Sequence, residues 1–477
     1  VQLPDEALLA ELFNDPAPLI REISLEALKR IGGTRVDGPL VKMLKDPDPN
    51  VKAAVLKHLA EVKSESLILP ITEFIRNESD MDLIVHAVRC LREIGSLRAT
   101  QEMFPLTDHT SWRVRAEAVE GVNKFFDDAS HSSSTKITAS VKNLASASFL
   151  NRLDDEDGFV VGKVAEGLQR IRTSDKEQQT ALLAALDRAL VRHPELAMVI
   201  VTNASHLDWP NYDFNGKLRD YCRHESSAIR AAAISQLVPV ENERAFEEVR
   251  TTLTDQESMV RVASMNALAL EIHRIVLDTT KREVQELAAS MQKAEPTSVD
   301  DDSEAEKSAK GKSTVLGFIG GLFGAATSAR EDYGSSSGLS AGSGPDAAQH
   351  TAQQADEVFA NIIQGRKLSP EIYQFEEVLK QHLQNGSADE KLAAARCLAM
   401  LGDPDAMNFV MLSAKSGINL QSLAMLLPAI PWNERVELFR ALMQSGVSSE
   451  DRAHVAEQLA VSSDPRGTEE LWDIFAD

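Results

Sequence analysis

The feature that most constrains this chain is a local signal that keeps returning: a proline-bounded stop followed by an amphipathic helix. It is clearest in Asp46-Pro47-Asp48-Pro49-Asn50-Val51-Lys52 and the residues on to Val62. Pro47 and Pro49 forbid continuation of a preceding helix. Asp48 or Asn50 can accept a hydrogen bond from a free amide of the next first turn, so a helix starts near Pro49. From there Val51, Ala54, Val55, Leu59 and Val62 fall on one stripe, while Lys52, Lys57, His58 and Glu61 point elsewhere. One helix of this length cannot bury such a stripe alone.

Further copies run from Leu19 to Ile31, Leu83 to Ile94, Trp112 to Val119, Ala228 to Ile234 and Met259 to Leu268. The first β-branched residue of each serves as a marker, at Ile20, Val51, Ile84, Val114, Val160, Ile229 and Val260, with intervals of 31, 33, 30, 46, 69 and 31 residues. A degenerate copy across Leu196 to Val201 divides the longest gap into two ordinary periods. The 46-residue gap holds a polar insertion, Ser130-His131-Ser132-Ser133-Ser134-Thr135, that cannot bury a core and reads as an exposed loop. Shorter apolar helices precede the copies, as at Val36 to Leu44 and Leu67 to Ile75, so the unit is a helix pair. A two-helix unit repeating near 31 residues means a stacked array whose core grows lengthwise.

Composition agrees. Aromatic residues are only 5% of the 477, and long β-branched alternations are missing, so the fold class is all-α. With 50 basic against 73 acidic residues, the net charge of -23 argues against a general affinity for nucleic-acid backbones. Cys90, Cys222 and Cys397 are far apart and lie at or within apolar helical segments, as small buried hydrophobes do, which suits a reducing, cytoplasmic setting. Because the chain begins at Val1 without Met, a processed or trimmed form is expected.

The Asp-Pro before the second helix, and the Val/Ile-Arg-x-x-Ala-x-x-Ala-Leu run after it, resemble HEAT repeats. The likeness is to the short bacterial variety also found in phycobilin-lyase-type proteins. It implies a right-handed α-solenoid of helix pairs over about 270 N-terminal residues and, more weakly, the last hundred or so. It also implies a ladder of Asp and Arg from neighbouring units. Arg21, Arg115, Arg230 and Arg261 occupy the basic position, with Lys52 once in its place. Asp15, Asp46 and Asp108 lie upstream in three units, and Glu225 or Glu257 is expected to substitute elsewhere. These pairs are expected to be structural before anything else. The four arginines are nevertheless carried as candidates for partner contact.

After Val260 the pattern becomes one longer helix reaching about Lys293, and then breaks. Residues 295 to 312 are charged and Ser-rich, and 334 to 344 are Gly/Ser-rich, both read as flexible linker. Between them lies an apolar, Gly-rich segment, 314 to 327, presenting Leu316, Phe318, Ile319, Leu322 and Phe323. It is too short for a membrane span, and docking or partner binding is favoured over membrane contact because the basic face that would attract anionic lipid is sparse. Gly311-Lys312-Ser313 fails as a phosphate loop, since the required upstream glycine is Glu306. Helical repeats resume from Ala355. The expected domains are thus 1–293 as the first solenoid, 294–354 as linker, and 355–477 as a second helical-repeat segment.

Chemistry is sparse. None of the eleven histidines makes a ligand pair with a second motif nearby. Asp154-Asp155-Glu156-Asp157-Gly158 resembles a calcium loop in composition but lacks its alternating ligands and distal Glu, and reads as a solvated turn. No metal, cofactor or catalytic residue is assigned. Trp209, Tyr212 and Phe214 cluster in an inter-helix connection, either as packing over the degenerate copy or as a binding hot spot. The function expected is a non-enzymatic protein-interaction scaffold that binds a protein partner on the concave face formed by second helices, with regulation by segment 314–327. The resemblance leaves two alternatives, bilin attachment or isomerisation and HEAT-like nucleic-acid binding; charge disfavours the latter, and fold alone licenses neither.

Overall fold

The computed structural model describes residues 11–31, 37–130, 139–170, 176–293, 368–430, 432–443 and 447–461. Every regular element among them is helical. The contacts divide the chain into two units, Val1–Gln236 and Leu237–Asp477.

In the first unit the helices alternate as the periodicity predicts. They are α1 (Pro18–Ile31), α2 (Asp37–Met43), α3 (Pro49–Val62), α4 (Ile68–Asn77), α5 (Met81–Ile94), α6 (Leu97–Met103), α7 (Trp112–Ser130), α8 (Ala139–Leu153), α9 (Gly158–Gly167), α10 (Lys176–Arg192), α11 (Ala197–Ser205) and α12 (Phe214–Tyr221). Helix α13 (Ser227–Glu241) carries the division within it. The second helices α1, α3, α5, α7, α9 and α11 pack each on the next.

Helix α3 shows why this sequence starts where it does. Asp48 is extended and its carboxylate accepts from the amides of Asn50 and Val51, while Pro49 at the first helical position has no amide to satisfy. The helix stops at Lys63, which adopts a left-handed conformation. Its buried face differs from the expected stripe. Val51, Val55 and Leu59 are fully buried, but Leu56 joins them, Ala54 is half-buried and Val62 is exposed. A repeat helix is covered by its own first helix and by second helices on both sides, so its buried arc is wider than a one-sided stripe. Helix α5 shows the same breadth, with Leu83, Ile84, Val85, Ala87, Val88, Cys90 and Leu91 all buried. Where α7 and α9 meet they come very close. A Cβ added at Gly167 would lie 2.0 Å from Asn123 Oδ1 and 2.5 Å from the Phe149 ring, so only glycine fits.

The second unit contains α14 (Phe246–Thr252), α15 (Ser258–Lys293), α16 (Pro370–Tyr373), α17 (Glu376–Asn385), α18 (Ala388–Met400), α19 (Pro404–Lys415), α20 (Leu420–Ala424), α21 (Trp432–Leu442) and α22 (Ser449–Val461). Helix α15 packs along α18 although their starts, Ser258 and Ala388, are 130 residues apart in sequence. Phe246 meets Phe375 edge to face at 5.1 Å, and His382 Nε2 lies 2.9 Å from the Leu253 carbonyl.

Two cysteines give the register. Cys90 Sγ donates to the Leu56 carbonyl at 3.0 Å, and Cys397 Sγ to the Met265 carbonyl at 3.3 Å. Each cysteine lies ten residues after its N-terminal cap, and each acceptor seven residues after the first residue of the preceding second helix. Helices α15 and α18 therefore stack as α3 and α5 do. In packing terms, residues 388–400 form the next second helix after 258–276.

Candidate functional site

The ladder residues decide what the second helices have left to offer. The Arg21 guanidinium is held by both carboxylate oxygens of Asp46, each at 2.7 Å, and donates through Nη1 to the carbonyls of Asp15 and Pro16. Arg115 repeats this with Asp155, again at 2.7 Å twice, and with the carbonyls of His109 and Thr110. Arg230 donates to His224 and Glu225 carbonyls, both at 2.8 Å. Lys52 reaches Glu78 at 2.6 Å. Arg261 closes its own turn on the carbonyls of Asp255 and Gln256 and holds Glu390 Oε1 at 3.1 and 2.5 Å. Arg21, Arg115 and Arg261 thus each tie their own turn to an acid of a following repeat. The planar fork of arginine suits this double task better than lysine does.

Burial by itself raises the pKa of Asp46, Asp155 and Glu390. The hydrogen bonds they accept, from Arg21 and the Asp48 amide, from Arg115 and the Asp157 amide, and from Ser258 and Arg261, outweigh it and hold all three below the ordinary carboxylate range. Of the arginines expected as candidates for partner contact, Arg21, Arg115 and Arg261 direct these donors into the stack.

The acids are partly other than expected. Asp108 pairs with Arg152 at 3.0 Å, and the acid that answers Arg115 is Asp155, inside the turn expected to be solvated but only 5% exposed. Nor do Glu225 and Glu257 stand at the ladder position. The Asx-type acceptor two residues before the helix cap is His224 in one turn, 3.0 Å from the Ser226 amide, and Asp255 in the other, 2.9 Å from the Glu257 amide. His109 plays the same part toward the Ser111 amide at 3.1 Å. The two histidine turns have a common logic. The second helix before His109 carries Ile84, and the one before His224 carries Ile200, at the position where α1, α3, α7, α13 and α15 carry the cation; both isoleucines are buried. In both turns the acceptor is an imidazole ring nitrogen, which accepts in the neutral ring. Burial, then the charge of Arg115, pushes the His109 pKa down, keeping it so.

The outer surface of the second helices is also interlocked. Glu93 is approached by Lys124 at 2.8 Å, Arg92 at 3.3 Å and Lys63 at 3.5 Å, and Glu117 by Arg92 at 2.7 Å and Arg89 at 3.4 Å. Lys163 bridges Glu120 and Glu166 at 3.1 and 3.0 Å. This face is polar and charge-balanced.

The aromatic cluster is mostly packing. Trp209 stacks on Phe214 with ring centroids 4.9 Å apart and planes 2° off parallel, and its indole N–H donates to the Ala204 carbonyl at 2.9 Å. Phe214 is buried, and Tyr212 is the member that reaches solvent. What the sequence reading missed is a second aromatic contact. Trp112 and Phe159, exposed by 43% and 57%, meet edge to face at 5.9 Å although 47 positions separate them. Lys163 Nζ sits 5.8 Å from the Phe159 ring centre. The signal that could have found them is a large apolar residue in the first or second position after the helix cap, ahead of the stripe.

Leu316, Phe318, Ile319, Leu322 and Phe323 fall outside the described residues. Among those described, no helix is long and apolar enough to cross a membrane, and no cluster of three His, Cys, Asp or Glu could hold a metal ion.

Residues 6–83 match the family model of HEAT repeats. No curated protein matches the chain. Among solved structures it is similar to an engineered protein at 16% identity, covering 97% of this chain and 100% of that one with a TM-score of 0.28. A Kap121p mutant is 14% identical over 96% of this chain and 46% of its own, with a TM-score of 0.38. A full-length AP-3 complex in an intermediate open conformation is 12% identical over 95% and 98%, with a TM-score of 0.31.

Proposed function

We propose that this chain, which carries HEAT repeats at residues 6–83, is a non-enzymatic scaffold that binds a protein partner through the surface lined by its second helices, the concave side in arrays of this kind. The observation that carries the reading is the continuous packing of α1, α3, α5, α7, α9 and α11. Their apolar stripes are committed to one another, and what remains is a long surface of repeated side chains with no deep cleft needed to use it. Segment 314–327 acts as a tethered regulator that competes for this surface, its apolar residues supplying the contact.

Affinity capture tests both parts. The full chain should retain a partner reproducibly, and the chain lacking residues 295–350 should retain it more strongly. Equal retention would remove the regulatory role. A chain that retains no protein but turns over or attaches a bilin would sink the scaffold reading itself.

A further inference from the structure

We propose that the edge of the first unit formed by the starts of its second helices is a docking surface for a basic amphipathic helix of a protein partner. This rests on the scaffold reading above and names the side used and the chemistry of the occupant. On six consecutive second helices, α1, α3, α5, α7, α9 and α11, an exposed apolar residue stands at the first or second position: Leu19, Pro49, Met81, Trp112, Phe159 and Met198. Leu19, Phe159 and Met198 are 63%, 57% and 46% exposed. Pro49 is accounted for by the helix start, but the other five precede the buried stripe, so intramolecular packing does not require them to be apolar. A helix start facing only water is better served there by Ser, Asp or Glu. The Trp112–Phe159 contact joins two of the helices into one apolar patch, and a half-exposed Trp at the centre of a row is a strong anchor for a partner.

The charges beside the row select the occupant. Asp48, Asp80 and Asp157 cap three of the same helices, and Glu156 lies next to the last. The neighbouring bases are engaged: Arg113 with Asp82, Arg115 with Asp155, and Arg152 with Asp108 and Asp155. The rim is therefore acidic, as is the chain at -23. Packed helices lie about 8–10 Å apart, which sets the spacing of the row. A partner helix presenting an apolar residue every seventh position advances about 10.5 Å and matches it. Lysines or arginines flanking that stripe would face the carboxylates, whereas an anionic bilayer would be repelled by them.

The probe is a synthetic helical peptide with leucines on a heptad stripe and lysines beside it, titrated by fluorescence anisotropy into the full chain. A scrambled peptide of the same composition and anionic phosphatidylserine vesicles are the controls. Binding should be salt-sensitive and sequence-dependent. It should fall about tenfold or more in W112A/F159A, whose exposed positions leave the fold intact by circular dichroism. It should be unchanged in K124A on the helix surface. Equal binding of the scrambled peptide, undiminished binding by W112A/F159A, or preference for the vesicles would each overturn the proposal. If W112A/F159A loses the peptide but still captures the partner of the full chain, or captures it equally in every respect, the edge assignment fails while the scaffold reading stands; capture of no protein by the unaltered chain would sink both.

Discussion

Arg261 and Glu390 form an ion pair at 2.5 Å across 129 positions of sequence, and the acid is only 4% exposed in its side chain. Arg261 does with Glu390 what Arg21 does with Asp46 over 25 positions. The acid differs in origin. Asp46 lies two residues before the cap of its helix, whereas Glu390 is the third residue of α18, where it also completes a capping box with Ser387. It accepts from Ser258 as well, at 2.5 Å. One carboxylate thus starts a helix and ties it to the preceding second helix.

Removing either partner should therefore cost more than a surface ion pair. Glu390→Ala leaves Arg261 without its carboxylate and α18 without its box, and a loss of about 3 kcal/mol is expected. A double-mutant cycle of Arg261→Ala and Glu390→Ala, read by urea denaturation, should show a coupling of about 1 kcal/mol or more. Strict additivity would mean that the pair contributes nothing.

The ladder acids predict acid lability. The folded-state pKa values of Asp46, Asp155 and Glu390 are depressed, so each contributes stability that is complete above the unfolded carboxylate values of about 4. That contribution is lost as pH falls through the lower folded values. Denaturation midpoints should be flat from pH 7 to about 5 in this respect and decline below about 4. In D46N/D155N the whole curve should sit lower and the acid slope should be shallower; an unchanged slope would show that other groups set it.

Burial pushes the Cys90 and Cys397 thiols up to about 12, so neither supplies thiolate at neutral pH. Under native conditions both should resist iodoacetamide, and denaturation should expose them. Rapid native alkylation at Cys397 would mean that α18 does not pack on α15 in solution.

Because α15 and α18 stack directly, residues 295–360 between them are not expected to be required for that stack. Replacing residues 295–360 with a Gly/Ser linker of about twenty residues changes the loop-closure entropy by only about 1 kcal/mol. The thermal midpoint should stay within a few degrees of the parent. A collapse of the midpoint would show that the replaced stretch carries packing of its own.

Much of this fold was legible because its instructions are local. A proline stop, a capping Asp and a 3.6-residue stripe all act within one turn or one helix, so α3 could be placed from Pro49 onward, and the recurrence of its pattern implied neighbours. The cations of the ladder were legible too, since they occupy a fixed place after each cap. Their partners were not. An insertion moves the acid that meets Arg115 to Asp155, and a longer one moves the acid that meets Arg261 to Glu390. Sequence spacing measures chain length, while an ion pair depends on which helices lie side by side. The edge row was hidden for a related reason: Trp112 and Phe159 fall outside the stripe that periodicity detects, and only the packing of α7 on α9 brings their rings together.

The sequence alone therefore determined that the chain is all-α, built of helix pairs with starts and stops at named residues, because those choices are decided by backbone sterics and by amides within a few residues. The tertiary structure alone decided that α18 follows α15 in the stack, which acids close the ladder, and which apolar residues are left facing water. Those outcomes depend on surfaces that exist only once neighbouring helices have packed.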